Sequence, residues 1–119
     1  MVMRGLELPY LGAPFAPHHP VTEKDMALRR YIIERDIPGV GTLGREQLRG
    51  AAAKSNETLN KLGPDIQWVE SYVAEGKTFC VYLAKDEAII HKHADISGFP
   101  ATKITEVRKM IDPTTERPD

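Results

Sequence analysis

Three carboxylates (Glu34, Glu70 and Glu106), one thiol (Cys80), two phenols (Tyr72 and Tyr82) and the histidines His91 and His93 are the residues of this chain best suited to chemistry. Carboxylates with an imidazole suit a divalent transition ion such as nickel, zinc or copper, and a thiolate shifts the preference toward softer metals. The two histidines cannot grip one ion together, because residues two apart on a helix point roughly 200° apart. His93 stands beside Ala94 and three residues after Ile90, toward a sheet, whereas His91 projects outward with Asp95 one turn on. Cys80 falls mid-strand with no helix N-terminus to lower its pKa, so the pattern gives a cysteine nucleophile little support.

Whether these groups converge depends on a hairpin. Residues 68–73 and 78–83 alternate in the manner of two strands. One face would carry Val69, Ser71, Val73, Phe79, Val81 and Leu83 toward helices. The other would carry Trp68, Glu70, Tyr72, Cys80 and Tyr82. The faces match if Glu75, Gly76 and Lys77 form a three-residue loop, with Gly76 taking positive φ, Tyr72 opposite Cys80, Glu70 opposite Tyr82 and Val73 opposite Phe79. A two-residue turn would pair Tyr72 with Phe79 and mix them.

The remaining elements frame that hairpin. Residues 28–35 read as a first strand, with Tyr31 and Ile33 on one side and Ile32 and Glu34 on the other. The following Ile37-Pro38-Gly39-Val40-Gly41 loop lacks the lysine and spacing of a phosphate loop. Arg45–Leu62 reads as a helix whose stripe, Leu48, Ala51, Ala52, Ser55, Leu59 and Leu62, covers the sheet; Gly63-Pro64 stops it. Asp86 caps a second helix, Glu87–Ser97, closed by Gly98, and residues 103–111 alternate as a last strand. Strand, helix, strand, strand, helix, strand predicts an α+β, ferredoxin-like βαββαβ fold. It would have a four-stranded antiparallel sheet and two helices on one face, of the dimeric α+β barrel type. We place this domain at residues 26–112. A proline-rich arm, 1–25, precedes it, with His18-His19 read as solvated imidazoles, and an unstructured tail, 113–119, follows.

Bulk properties narrow the function. The chain has 119 residues, 41% of them hydrophobic and 28% charged, as expected of one small globular domain. With 16 basic and 17 acidic residues, its net charge of -1 argues against nucleic acid or an anionic membrane as partner. Its single cysteine forms no internal disulfide, and the first ten residues contain no unbroken apolar stretch, so a cytoplasmic location is expected.

On this reading the helix-free face collects Glu34, Glu70, Tyr72, Cys80, Tyr82 and Glu106, and a second copy covering it makes a homodimer. Arg30, Arg35, Lys103 and Arg108 could pair with the carboxylates and make the face a salt-bridged seam. Alternatively the carboxylates, with a histidine, could hold a divalent metal.

The runs Tyr31-Ile32-Ile33-Glu34-Arg35-Asp36-Ile37-Pro38-Gly39, Trp68-Val69-Glu70-Ser71-Tyr72-Val73, Cys80-Val81-Tyr82, His93-Ala94, Gly98-Phe99-Pro100-Ala101 and Ile104-Thr105-Glu106-Val107 resemble a family of small bacterial ferredoxin-like proteins. The family was formerly a domain of unknown function and later labelled nickel-binding, and the resemblance spans about residues 28–115. It implies a dimer and a metal set drawn from Glu34, Glu70, Cys80, His93 and Glu106, with nickel first and zinc or another divalent ion as alternatives. Sequestration or buffering of nickel is the leading expectation. The rivals are an enzyme or small-ligand binder with Tyr72, Glu70 or His93 as acid or base in a cavity by the sheet, and an interaction module without ligand.

Overall fold

The computed structural model describes residues 27–118, so the arm and its His18-His19 pair lie outside the described residues. Six regular elements follow in order: β1 (Arg29–Asp36), α1 (Arg45–Leu62), β2 (Ile66–Val73), β3 (Lys77–Ala84), α2 (Glu87–Ser97) and β4 (Lys103–Glu106). The sheet runs β2-β3-β1-β4 with every neighbouring pair antiparallel. This is the ferredoxin-like arrangement, α+β with two helices against one four-stranded sheet.

Local chemistry sets the helix ends. The Asp86 carboxylate accepts the Ile89 N–H at 3.1 Å and satisfies one of the free donors of the first turn of α2. Gly98 ends that helix at φ 83°, where its N–H reaches the Ala94 carbonyl at 2.8 Å; a side chain there would be strained. At α1 the Gln47 side chain accepts the Gly44 N–H at 2.9 Å. Both helices keep the limits read from the sequence.

The hairpin differs from its expectation, for a specific reason. Ala74 donates to the Lys77 carbonyl at 2.8 Å, leaving a two-residue turn of Glu75 and Gly76, and Tyr72 pairs with Phe79. That register sets Ser71 opposite Cys80 and Glu70 opposite Val81, and a β-bulge between Trp68 and Glu70 then shifts it so that Trp68 faces Tyr82. The extra residue, Val69, turns Trp68 inward beside Tyr82, while Glu70 and Tyr72 stay on the side of Val81 and Phe79. Trp68 Nε1 donates across the bulge to Ser71 Oγ at 2.9 Å. Nor is the turn built on a left-handed Gly76; the described glycines with positive φ are Gly39, Gly63 and Gly98.

With this register the faces of β3 are the reverse of the sequence reading. Thr78, Cys80, Tyr82 and Ala84 are buried beneath the helices, and Phe79, Val81 and Leu83 lie half-buried on the open side. Directly paired residues share a face, so Tyr31, Ile33 and Arg35 of β1 join Tyr82, Cys80 and Thr78. Tyr31, Ile33, Ile66, Cys80, Tyr82, Ala84 and Ile90 form the core, with Leu59, Leu62 and Ile104 packed around it.

Strand β4 is also shorter than the 103–111 read from alternation. Among the described residues it pairs only with β1, from Tyr31 to Glu34, and the bond from Val107 N–H to the Arg30 carbonyl is the last between them. Beyond it, Pro113–Glu116 forms a 3-10 turn where the sequence suggests none. Asp112 caps it, accepting from Thr114 N–H at 2.8 Å.

The loop after β1 is locked onto the hairpin turn. Ile37 N–H donates to the Gly76 carbonyl at 3.0 Å and Gly41 N–H to the Glu75 carbonyl at 2.9 Å. A Cβ on Gly41 would lie 2.8 Å from both the Ala74 carbonyl oxygen and the Glu75 Cα, so only glycine permits this approach.

Candidate ligand-binding cavity

The structure places the five candidate ligands in three locations. Glu34 and Glu70 lie on the open side, on strands separated by β3, opposite Phe79 and Val81. Glu34 accepts from Lys77 Nζ at 3.2 Å, and Glu70 accepts from the Tyr72 hydroxyl. That bond to a carboxylate raises the Tyr72 pKa. Glu106 pairs with Tyr31 on the Ile104 side of the edge strand and is exposed, not beside Glu34. Cys80 and His93 are buried under the helices, and His91 is exposed, as the helical spacing predicts. Arg35, expected among the counter-ions of the open side, instead lies on the helix side at 3% exposure.

That inward turn of Arg35 defines a different site. Between α1 and the sheet is a cavity of about 410 Å³. The first half of the α1 stripe, Leu48, Ala51, Ala52 and Ser55, forms one wall, while Leu59 and Leu62 further along pack on the core. Trp68, Ser71, Thr78, Cys80 and Tyr82 form the sheet floor. Val40 and Leu43 after β1, and Phe99 and Pro100 after α2, border it. Small side chains at 51 and 52 leave this space open, where a larger residue would fill it.

Polar groups meet where the floor, α1 and α2 come together. Ser55 Oγ lies 3.2 Å from Tyr82 Oη and 3.2 Å from His93 Nε2, forming one buried chain of hydrogen bonds. His93 is fully buried and meets the Tyr82 ring edge-on at 5.3 Å. Burial, followed by the nearby Arg35 charge, lowers the His93 pKa to about 4, so the ring is neutral at neutral pH. Burial raises the Tyr82 pKa and keeps its phenol protonated. Arg35 Nη1 donates to the carbonyls of Phe99 and Pro100, at 3.2 and 3.1 Å, while Nη2 is buried without a partner among the described residues.

Comparison with known proteins places this arrangement. Residues 31–107 match the family model described as nickel responsive protein SCO4226-like. The chain belongs to the SCO4226-like family. The crystal structure of SCO4226 from Streptomyces coelicolor A3(2) aligns with a TM-score of 0.59 at 14% identity, over 69% of this chain and 99% of that one, and shows the shared fold. No curated protein sequence matches the chain.

The family description raises the question of nickel. Among the described residues of one chain, no group of three or more His, Cys, Asp and Glu side chains is gathered as a metal site. The two softest donors, Cys80 and His93, share their side of the sheet with the cationic Arg35, which disfavours a dication there. The described residues of a single SCO4226-like chain therefore do not by themselves fit a nickel centre. No described helix is long and apolar enough to cross a membrane.

Proposed function

We propose that this protein binds a small organic molecule in the cavity between α1 and the sheet. The carrying observation is the cavity itself: about 410 Å³, apolar on its walls, with Arg35, Ser55 and Tyr82 converging among its lining. Volumes of this order, mostly apolar lining and a few convergent polar groups are the general marks of small-molecule sites. The fold contributes a rigid floor, and the loops holding Val40, Leu43, Phe99 and Pro100 border the cavity with apolar side chains.

Trp68 is the sole tryptophan and lines the cavity, so its fluorescence reports occupancy directly. Titrating the full chain with a library of small aromatic and aliphatic compounds should change that emission for a defined subset. Ala52→Phe, which fills the space between α1 and the floor, should abolish the response while the far-ultraviolet spectrum stays native. A library without a single responder, or a filled variant that responds as well as the parent, would sink this reading.

The second reading is nickel held where two copies meet, and the family description is what favours it. The open side of the sheet carries half-buried Ile32, Phe79, Val81 and Leu83 and an exposed Tyr72, surface that a second copy would remove from water. A homodimer through that side would bring Glu34 and Glu70 of both copies to one seam, where nickel sequestration or buffering has its best donors. Cys80, His93 and Glu106 lie elsewhere in the fold. Elemental analysis of untagged protein, followed by calorimetric titration with nickel and zinc, tests it. Glu34→Ala and Glu70→Ala should each weaken nickel binding at least tenfold with the fold intact, and unchanged affinity in both removes these ligands.

A further inference from the structure

Resting on the small-molecule reading, we infer that the ligand is a monocarboxylate on an apolar body, its carboxylate held by the Arg35 guanidinium and the Tyr82 hydroxyl. Among the described residues, the Arg35 side chain is the single charged one lining the cavity. It forms no ion pair with any described carboxylate, and its Nη2 is buried without a partner among the described residues. A guanidinium at 3% exposure without an anion is unfavourable, and a carboxylate entering the cavity beside Arg35 would supply the missing charge.

The neighbouring hydrogen-bond chain directs a second donor to the same place. Neutral His93 carries one N–H, either at Nε2, facing Ser55, or at Nδ1, which has no partner. A buried orphan N–H is rarer and costlier than an orphan acceptor, so the proton belongs on Nε2. His93 then donates to Ser55 Oγ, Ser55 donates to Tyr82 Oη, and the Tyr82 O–H is left to donate into the cavity. The Arg35 guanidinium lies 5.8 Å from the centre of the Tyr82 ring, close enough for both residues to serve one carboxylate. Two donors, one positive charge and apolar walls fit a singly charged oxyanion; a phosphate dianion would require more cations and donors than these walls offer.

The test titrates the full chain at constant ionic strength with benzoate, phenylacetate and octanoate and with their primary amides, by calorimetry and by Trp68 emission. The carboxylates should bind at least tenfold more tightly than the amides. Arg35→Met should erase that preference while amide binding survives, and Tyr82→Phe should reduce carboxylate affinity about fivefold or more. In case Arg35→Met fails to fold, Tyr82→Phe and the ring-nitrogen shifts of His93 carry the test, since the inference requires an Nε2–H tautomer. Equal binding of acids and amides, or a preference that persists in Arg35→Met, overturns the inference and leaves the cavity reading standing. Binding of neither class overturns both.

Discussion

The Arg35 guanidinium lies 5.8 Å from the centre of the Tyr82 ring, and its Nη1 reaches past the floor to the carbonyls of Phe99 and Pro100. One side chain from β1 thereby ties the segment after α2 to the sheet. Cavity floor and border share this residue.

The tie predicts local rather than global loosening when it is cut. In Arg35→Met, the amide of Thr102, which donates to the Glu34 carbonyl at 2.8 Å, should exchange at least tenfold faster, the equivalent of about 1.4 kcal/mol and the lower end of a charge-assisted bond. Amides in the centre of β3 should keep their protection. Mass-spectrometric hydrogen exchange checks this, and unaltered protection at Thr102 would contradict the tie.

His93 makes stability pH-dependent with a definite sign. Its folded pKa of about 4 lies below the 6.5 of an unfolded chain. Between those values the unfolded state holds a proton that the native state does not, so stability falls as pH drops from about 6.5 to about 4 and levels off below. The loss from this group is at most about 3 kcal/mol. Urea unfolding across that range should show the slope in the parent and a reduced slope in His93→Gln; an equal slope in both would assign it to the carboxylates.

Gly41 should be intolerant of any side chain. A Cβ would approach the backbone of Ala74 and Glu75 to 2.8 Å, and backbone cannot swing aside. Gly41→Ala is expected to cost about 1–3 kcal/mol in denaturant unfolding. Gly76→Ala, with open space around it and no positive φ, is the control and should cost far less.

The open side of the sheet offers a test of the proposed homodimer. Val81 lies on the inner strand β3 among Ile32, Phe79 and Leu83. Val81→Asp should convert dimers to monomers by light scattering, because a charge would be buried in the seam. A parent protein that is monomeric at every concentration measured would end the dimer proposal.

Much of the fold was readable from residue patterns. The α1 stripe with Gly63-Pro64 after it, and Asp86 and Gly98 around α2, delimit both helices, because caps and helical periodicity are local signals. The order of elements then leaves few topologies to choose among. The faces of β3 depart from the sequence pattern because the turn is two residues long and puts Phe79 beside Tyr72, while the bulge at Val69 turns only Trp68 inward; strict two-residue spacing registers neither. Since Phe79, Val81 and Leu83 are more apolar than Cys80 and Tyr82, the pattern favoured the wrong side of β3. Arg35 was missed as a cavity residue although a signal existed: it continues Tyr31 and Ile33 by two, and alternation alone assigns it to the buried side. The cavity arises from the space between α1 and the floor, a three-dimensional quantity that Ala51 and Ala52 only hint at.

The bulge at Val69 also bears on how such chains can change length. It works like a reading frame: upstream of it Ile66 and Trp68 face inward, and downstream Ser71 and Val73 share that side. Losing Val69 would flip whichever half of the strand slipped, turning Trp68 outward or Tyr72 inward, with no change of composition beyond one valine. Among related chains, the spacing between the residues equivalent to Trp68 and Ser71 should therefore be kept, and any insertion here should come in pairs. Length variation is far easier at residues 108–111, which have no strand partner among the described residues.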